Sequence, residues 1–436
     1  LLGLLLAPAF DAAMAMVNFA VTQLMRPMVL PGLAFENGIP RVHRTLIAVP
    51  VMITSFHGIE EMLERIEGHF LSNDEPELFY ALLSDWKDSS TERSAEDAEL
   101  LAAAEAGIAE LNTRHGHERF MLLHRSRKWN ESEKAWMGWE RKRGKLQELN
   151  RLLRGARDTT FLADADSMPA GVKYVIVLDA DTLLPRGAAR RLVGKMAHPL
   201  NRPSFDEAKR RVISGYGILQ PRVTISLPEH GKGSLYQKIF ASRPGLDPYV
   251  FTTSDVYQDL FGEGSFTGKG IYDIDAFEAA MAGRIPENTM LSHDLFEGSF
   301  VRAGLVTDVE VVEDFPDRYI VDMARHHRWA RGDWQLLPWM FPLARGLSGL
   351  GFWKMIDNLR RSLTPAITLA ALIAGWWLLP ASSALAWTAF LVVLLFIPSF
   401  LPIFSGSSLR REPITIESQL LTLRDDIVSA LLLTGA

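Results

Sequence analysis

Cysteine is missing from all 436 residues. Disulfides, thiolate metal sites and cysteine nucleophiles are thereby excluded, and the chain suits a reducing cytosol. An excess of positive charge is missing too. The 46 Lys and Arg stand against 52 Asp and Glu, a net charge of −6, so there is no basic footprint for a nucleic-acid partner. The first residues lack the basic start and small-residue cleavage site of a signal peptide. No internal repeat or low-complexity tract occurs. Nor is there a P-loop: the stretch from Gly262 to Lys269 has glycines and a Gly-Lys pair at the wrong spacing, with Gly270 where Ser or Thr is needed. It reads instead as a glycine-rich loop. The adjacent His326 and His327 cannot share one helix face as an i, i+4 zinc pair would.

What is present is apolar surface: 48% of the chain is hydrophobic, high for a soluble enzyme and ordinary for one with a few membrane helices. Pro365–Leu379 and Ala384–Phe404 are uncharged apolar stretches split by Pro380, Ser382 and Ser383. A span needs roughly 20 apolar residues, so the pair is expected to form a membrane hairpin over 359–436, with a further span beginning near Ile427. Arg360 and Arg361 precede it, and Arg410 and Arg411 follow it, on one side; the positive-inside rule makes that side cytoplasmic. Residues 1–40 are expected to be membrane-associated, either the end of a membrane helix followed by an interfacial helix or a docking helix. Residues 333–358 are expected to be amphipathic and interfacial, with Trp334, Trp339 and Trp353 among them. The chain starts at Leu1 without Met and stops within an apolar run, as a piece of a longer polypeptide would.

Between these segments, 41–332 is expected to be a cytoplasmic α/β domain. Thr45–Ile53, Leu78–Leu83, Phe120–Leu123 and Tyr174–Leu178 have the short apolar runs of buried strands. Ser94–Glu110 reads as a helix with an acidic capping box at Ser94 and Asp97 and an apolar face of Leu100, Ala104, Ile108 and Leu111. A second helix is expected over Glu131–Leu153. Strands alternating with helices predict a mostly parallel sheet covered on both faces, with ligands beyond the carboxyl ends of its strands. Basic runs at Arg125, Arg127 and Lys128 and at Arg141, Lys142 and Arg143 fit a solvated helix face or a phosphate-facing patch.

The strongest local signal is Tyr174-Val-Ile-Val-Leu-Asp179-Ala-Asp181. An apolar strand ends in two carboxylates separated by one residue. Hard cations such as Mg²⁺ and Mn²⁺ take oxygen ligands of this kind together with substrate phosphates. Taken alone, the same residues also fit a turn before Pro185. Ser292-His293-Asp294 and Arg325-His-His-Arg328-Trp329 follow in order, ahead of the apolar stretches. The set resembles processive inverting glycosyltransferases of the GT-A fold, whose usual motifs are Thr-Glu-Asp and Gln-x-x-Arg-Trp. With Phe261-Gly-Glu-Gly-Ser-Phe-Thr-Gly-Lys-Gly-Ile-Tyr-Asp273, Leu291-Ser-His-Asp-Leu-Phe-Glu-Gly298 and Arg325-His-His-Arg-Trp-Ala-Arg-Gly-Asp-Trp-Gln335, it resembles more closely the glucosyltransferase module of cyclic β-1,2-glucan synthases, from about Leu46 into the C-terminal spans.

That resemblance implies a GT-A-like, Rossmann-like domain in the bacterial inner membrane. It would polymerise glucose from UDP-glucose onto a growing β-glucan, with Mg²⁺ or Mn²⁺, as part of a longer multi-pass polypeptide. It implies Asp294 as general base, Asp179 and Asp181 for donor and metal, and Asp85 for the uridine, against a capping role in Ser84-Asp85-Trp86. It implies Lys145 for the donor diphosphate, against an exposed helix lysine. Arg325 and Arg328 would meet the leaving diphosphate and Trp329 the acceptor sugar, against an interfacial aromatic. A synthase of another β-glucan linkage and a non-catalytic membrane scaffold are the alternatives.

Overall fold

The computed structural model describes residues 1–163, 165–226, 233–240, 255–290, 293–341 and 346–406, together with 424, 427, 428 and 431. In chain order the strands are β1 (Thr45–Ile53), β2 (Leu78–Trp86), β3 (Phe120–His124), β4 (Lys128–Asn130), β5 (Ala135–Met137) and β6 (Tyr174–Val177). They continue with β7 (Thr182–Leu183), β8 (Ser204–Asp206), β9 (Arg211–Ser214), β10 (Ile218–Ile225), β11 (Gly270–Asp273) and β12 (Ala303–Glu313). The helices are α1 (Leu2–Leu24), α2 (Phe56–Ser72), α3 (Asp97–His115), α4 (Arg141–Leu153), α5 (Ala188–Ala197), α6 (Leu235–Phe240) and α7 (Val256–Phe261). After these come α8 (Ile274–Met281), α9 (Asp294–Val301), α10 (Tyr319–Gln335), α11 (Leu337–Met340), α12 (Gly349–Leu378) and α13 (Ala381–Gly406).

Eight strands make one sheet in the order β3-β2-β1-β6-β11-β10-β12-β7. β3, β2, β1 and β6 run parallel, β10 and β12 run parallel to each other, and β11 and β7 are reversed. The sequence requires both faces to be covered, because successive residues of β1 enter opposite cores. Ile47, Val49 and Val51 pack with Ile66, Phe70 and Leu192 on one side, whereas Leu46 and Ala48 pack with Leu146, Leu149 and Phe296 on the other. Near-continuous apolar runs are what a doubly covered parallel sheet needs. The chain leaves β1 toward β2 on one side and β6 on the other, so the strand order reverses there. A crevice opens at such a point beyond the carboxyl ends of the strands.

Leu100, Ala104, Ile108 and Leu111 are the buried residues of α3, and the Asp97 carboxylate accepts from the Ser94 amide at 2.8 Å. The helix expected over Glu131–Leu153 begins only at Arg141. The residues before it form the β4–β5 hairpin, in which Trp129 and Trp136 face each other across the strands, their rings 5.9 Å apart. The Asn130 side chain accepts from the amides of Ser132 and Glu133, closing the turn. Lys134, Glu140 and Arg141 all have φ near +50°, a backbone region that ends helices rather than continuing them.

Among the described residues, two helices are long and apolar enough to cross a membrane, Leu2–Leu24 and Ala381–Leu401. The stretch from Pro365 onward is the distal half of α12, a 30-residue helix that passes Pro365 without a break. The boundary expected at 358/359 therefore falls inside one helix. Arg360 of α12 pairs with Asp11 of α1 and with Asp357, at 2.9 Å for the latter. Leu291, Ser292, Arg410, Arg411 and most of the span expected near Ile427 lie outside the described residues.

Two buried histidines give the domain a pH dependence. Burial holds His69, on α2, and His124, ending β3, down at about 4. Each is neutral in the folded chain and takes up a proton near pH 6.5 once unfolded, so its contribution weakens stability as pH falls from about 6.5 to 4. Asp255, Asp273 and Glu278, which burial pushes up, act in the opposite sense. The test is therefore a comparison. The unfolding free energy of wild type should fall further over this window than that of a His69→Gln/His124→Gln variant, by on the order of a few kcal/mol. Parallel pH curves for the two proteins would refute it.

Candidate active site

Charged residues collect at one edge of the sheet for a topological reason. β1, β2, β3 and β6 end there because they run parallel. β11 begins there because it is reversed, with Gly270 beside Val177. Glu313 ends β12 at the same edge and is held beside the reversed β7 by pairing with Thr182.

One cluster is buried. Asp85 lies within β2, one residue from its end, and so is not a cap. Arg125, fully buried just past β3, grips it with two bonds of 2.7 and 2.8 Å. The same guanidinium reaches Glu148 at 3.0 Å and the carbonyls of Trp139 and Arg141. Lys145 stands 3.0 Å from Asp85 and donates to the carbonyls of Val51 and Leu83 at 3.0 and 2.9 Å. Its three ammonium hydrogens are thus matched by three acceptors within the domain. Burial pulls Lys145 down to about 8. Burial alone would raise Asp85, but Lys145 and Arg125 hold it below the usual carboxylate range. A Cβ at Gly138 would sit 2.6 Å from the Asp85 carboxyl carbon, so only glycine lets the hairpin exit pass. Arg125→Met would leave two buried carboxylates without their shared cation and should cost about 3–5 kcal/mol. An unfolding midpoint within a degree of wild type would contradict this.

The second cluster is open to solvent. Asp179 follows β6 by two residues and meets Lys142 of α4 at 2.6 Å and Lys269 at 3.3 Å. Lys269 also pairs with Glu313. Asp179, the exposed Asp181 and Glu313 each place an oxygen within 4.8 Å of the others. Burial would raise Asp179, yet the two lysines hold it at about 2. Burial would likewise lower both lysines, but Asp179 together with Asp294 for Lys142, and together with Glu313 for Lys269, outweighs it and raises them. Lys142 also donates to the Gly268 carbonyl at 2.9 Å. Gly268 has φ +87°, and a Cβ there would lie 2.8 Å from the Asp294 carboxylate. Asp294 therefore rests against this turn, across Lys142 from Asp179. It is the first residue of α9; the N-cap is His293, which makes no capping hydrogen bond.

The Arg-x-x-Arg-Trp segment lies on α10. Arg325 bonds to the buried Asp322 at 2.9 Å and covers the Trp329 ring at 4.9 Å. Tyr236 donates to the other Asp322 oxygen at 2.6 Å. Trp329 is 41% exposed, and Arg328 is exposed as well. Among the described residues, no hydrogen bond or ion pair links these three to Asp179, Asp181 or Asp294. Lys142, Lys269 and Glu313 were not singled out from the sequence as site residues. Lys142 lies in a basic run and Lys269 in the glycine-rich stretch, but nothing local marks Glu313.

No protein-family model matches the chain. Among solved structures, the galactosyltransferase LgtC in complex with donor and acceptor sugar analogues overlaps 72% of this chain and 95% of its own. The TM-score is 0.27 and the identity 11%, too slight a likeness to bear on fold or chemistry. A much stronger match is the cyclic beta-(1,2)-glucan synthase NdvB of Rhizobium meliloti (strain 1021), 51% identical over 426 residues. That alignment takes in 97% of this chain and 15% of the length of the relative. Identical at half its positions along almost its whole length, the chain is similar to one segment, about 15% of the length, of that synthase.

Proposed function

We propose that the chain is a membrane-bound inverting glucosyltransferase that passes glucose from UDP-glucose to the 2-hydroxyl of a growing β-glucan, within a longer polypeptide of the inner membrane. The observation that supports this best is the placing of Asp294 across Lys142 and Gly268 from the Asp179–Asp181–Glu313 group. On this reading a base and a diphosphate site would lie to either side of a single turn. An inverting displacement needs that opposition. The fold suits a GT-A-type transferase in its mostly parallel sheet and in the position of the acidic cluster beyond the strand ends.

The three carboxylates offer the hard oxygens that Mg²⁺ or Mn²⁺ prefers. Asp179, Asp181 and Glu313 would hold the ion, which when bound supplies charge to the leaving UDP. Lys142 and Lys269 would provide cations for the diphosphate oxygens. Lys142 suits this contact better than Lys145, whose hydrogens are engaged. Asp85 and Lys145 form the buried floor of the uridine side. Asp294 takes the proton of the acceptor hydroxyl on a carboxylate oxygen. Arg325 and Arg328 serve the leaving diphosphate, and the open face of Trp329 suits a sugar ring.

Incorporation of labelled glucose from UDP-glucose, followed by linkage analysis of the product, tests the reading. β-1,3 or β-1,4 linkages would make the chain another β-glucan synthase, and no incorporation would favour a scaffold. EDTA should abolish turnover and added Mn²⁺ or Mg²⁺ restore it; full activity in EDTA would remove the metal from the site. These 436 residues contribute no thiol of their own to a topology test, because they hold no cysteine. A cysteine at Ser383, in the first turn of α13, should react with an impermeant thiol reagent in intact spheroplasts. One at Glu131 should react only after lysis, and the reverse pattern would invert the orientation.

A further inference from the structure

His293 stands immediately before Asp294, at the N-cap of α9. Its imidazole is 4% exposed, and so is Glu297, one turn along α9. Nδ1 stands 2.9 Å from a Glu297 oxygen and 3.5 Å from an Asp294 oxygen. A buried carboxylate is costly unless a cation or donors accompany it, and His293 accompanies Glu297.

We propose that His293, anchored by Glu297, is a positioning residue that fixes the Asp294 carboxylate against Gly268, where it can face an acceptor hydroxyl. This rests on the assignment of Asp294 as the base. Nδ1 lies between the two carboxylates, close enough for a charge on the ring to attract both, although it makes no hydrogen bond of good geometry to either. The charged groups facing the ring are Glu297 and Asp294 on its own helix and Lys142 from α4. Burial and Lys142 disfavour the imidazolium, but the two carboxylates outweigh them and raise its pKa above the ordinary value. The donor atoms of His293, Asp294 and Glu297 also lie within 4.8 Å of one another, the reach of a metal ion. A metal there would need the imidazole neutral and would compete with the proton.

The linkage has a sign. His293 is protonated below its raised pKa, so its hold on Asp294 is intact there and is lost as pH rises through that value. Wild type should therefore show a basic limb in kcat.

The experiment uses the full-length enzyme in membranes and compares His293→Asn, His293→Leu, Glu297→Gln and Asp294→Asn for UDP affinity, KM, kcat and pH profile. Asparagine places an N–H close to where Nδ1 carries one but does not titrate. His293→Asn should keep kcat within about tenfold and lose the basic limb. His293→Leu should lose about 10²-fold in kcat with KM for UDP-glucose little changed, the scale of a reacting group displaced by about 1 Å. Glu297→Gln should move the basic limb to lower pH. A folded His293→Leu enzyme with wild-type kcat, or a basic limb that persists in His293→Asn, overturns the proposal. If the leucine variant fails to fold, the asparagine profile decides. An inactive Asp294→Asn beside a normal His293→Leu overturns the positioning role alone. An Asp294→Asn enzyme of wild-type rate overturns the base assignment and this proposal with it.

Discussion

Asp294→Asn should lower glucose incorporation by about 10²- to 10⁴-fold while UDP still binds with near wild-type affinity. The substitution keeps the size of the side chain and its contact with the Gly268 turn but removes the basic oxygen. General-base contributions have that magnitude. Binding should survive because Lys142, Lys269, Asp179 and Asp181 are untouched. A role in holding up the helix makes a different forecast. Loss of a cap costs on the order of 1 kcal/mol of stability and leaves turnover largely intact. The geometry already disfavours a cap, since Asp294 is inside α9 and the residue before it occupies the N-cap. Measuring UDP affinity, melting temperature and initial rate on one preparation separates the two, and near-normal incorporation would take Asp294 out of the chemistry.

Asp179→Asn should fail at an earlier step. Lys142 and Lys269 both converge on this carboxylate, and an amide in its place leaves two partly buried ammonium groups without their shared anion. It also takes one oxygen from the Asp179–Asp181–Glu313 group. Donor affinity in the presence of Mn²⁺ should weaken by about 10²-fold or more, on the scale of removing one member of a partly buried charge pair. Raising UDP-glucose should recover part of the rate, which it would not do for Asp294→Asn. If Asp179→Asn binds UDP-glucose and Mn²⁺ like wild type, the donor site lies elsewhere.

Much of this arrangement was legible in the residues. β1, β2, β3 and β6 announce themselves because a strand buried on both faces must be apolar throughout, and Asp179 is legible because it ends such a run. Helix phase was harder. Lys142 and Lys145 sit one turn apart on α4, and only packing tells which reaches the open site and which is locked under Asp85. The hairpin before α4 was illegible because residues 131–140 have a composition that suits a helix. Trp129 facing Trp136 and three left-handed residues override it. Glu313 could not have been found locally, since it is brought beside Asp179 by pairing with Thr182, 131 positions earlier in the chain. Lys269 was hidden in a glycine-rich stretch whose failure as a P-loop said nothing of where its lysine would go.

The two lysines on Asp179 have a thermodynamic consequence. Each is an internal counter-ion on a carboxylate assigned to an external one, so a divalent cation arriving alone must compete with both. A diphosphate draws the same lysines toward its own oxygens and frees the carboxylate. The two ligands therefore assist one another, and by reciprocity each tightens the other by the same factor. UDP titrations at increasing Mn²⁺, and Mn²⁺ titrations at increasing UDP, should return a single positive coupling energy, and that energy should shrink when Lys142 is replaced by glutamine.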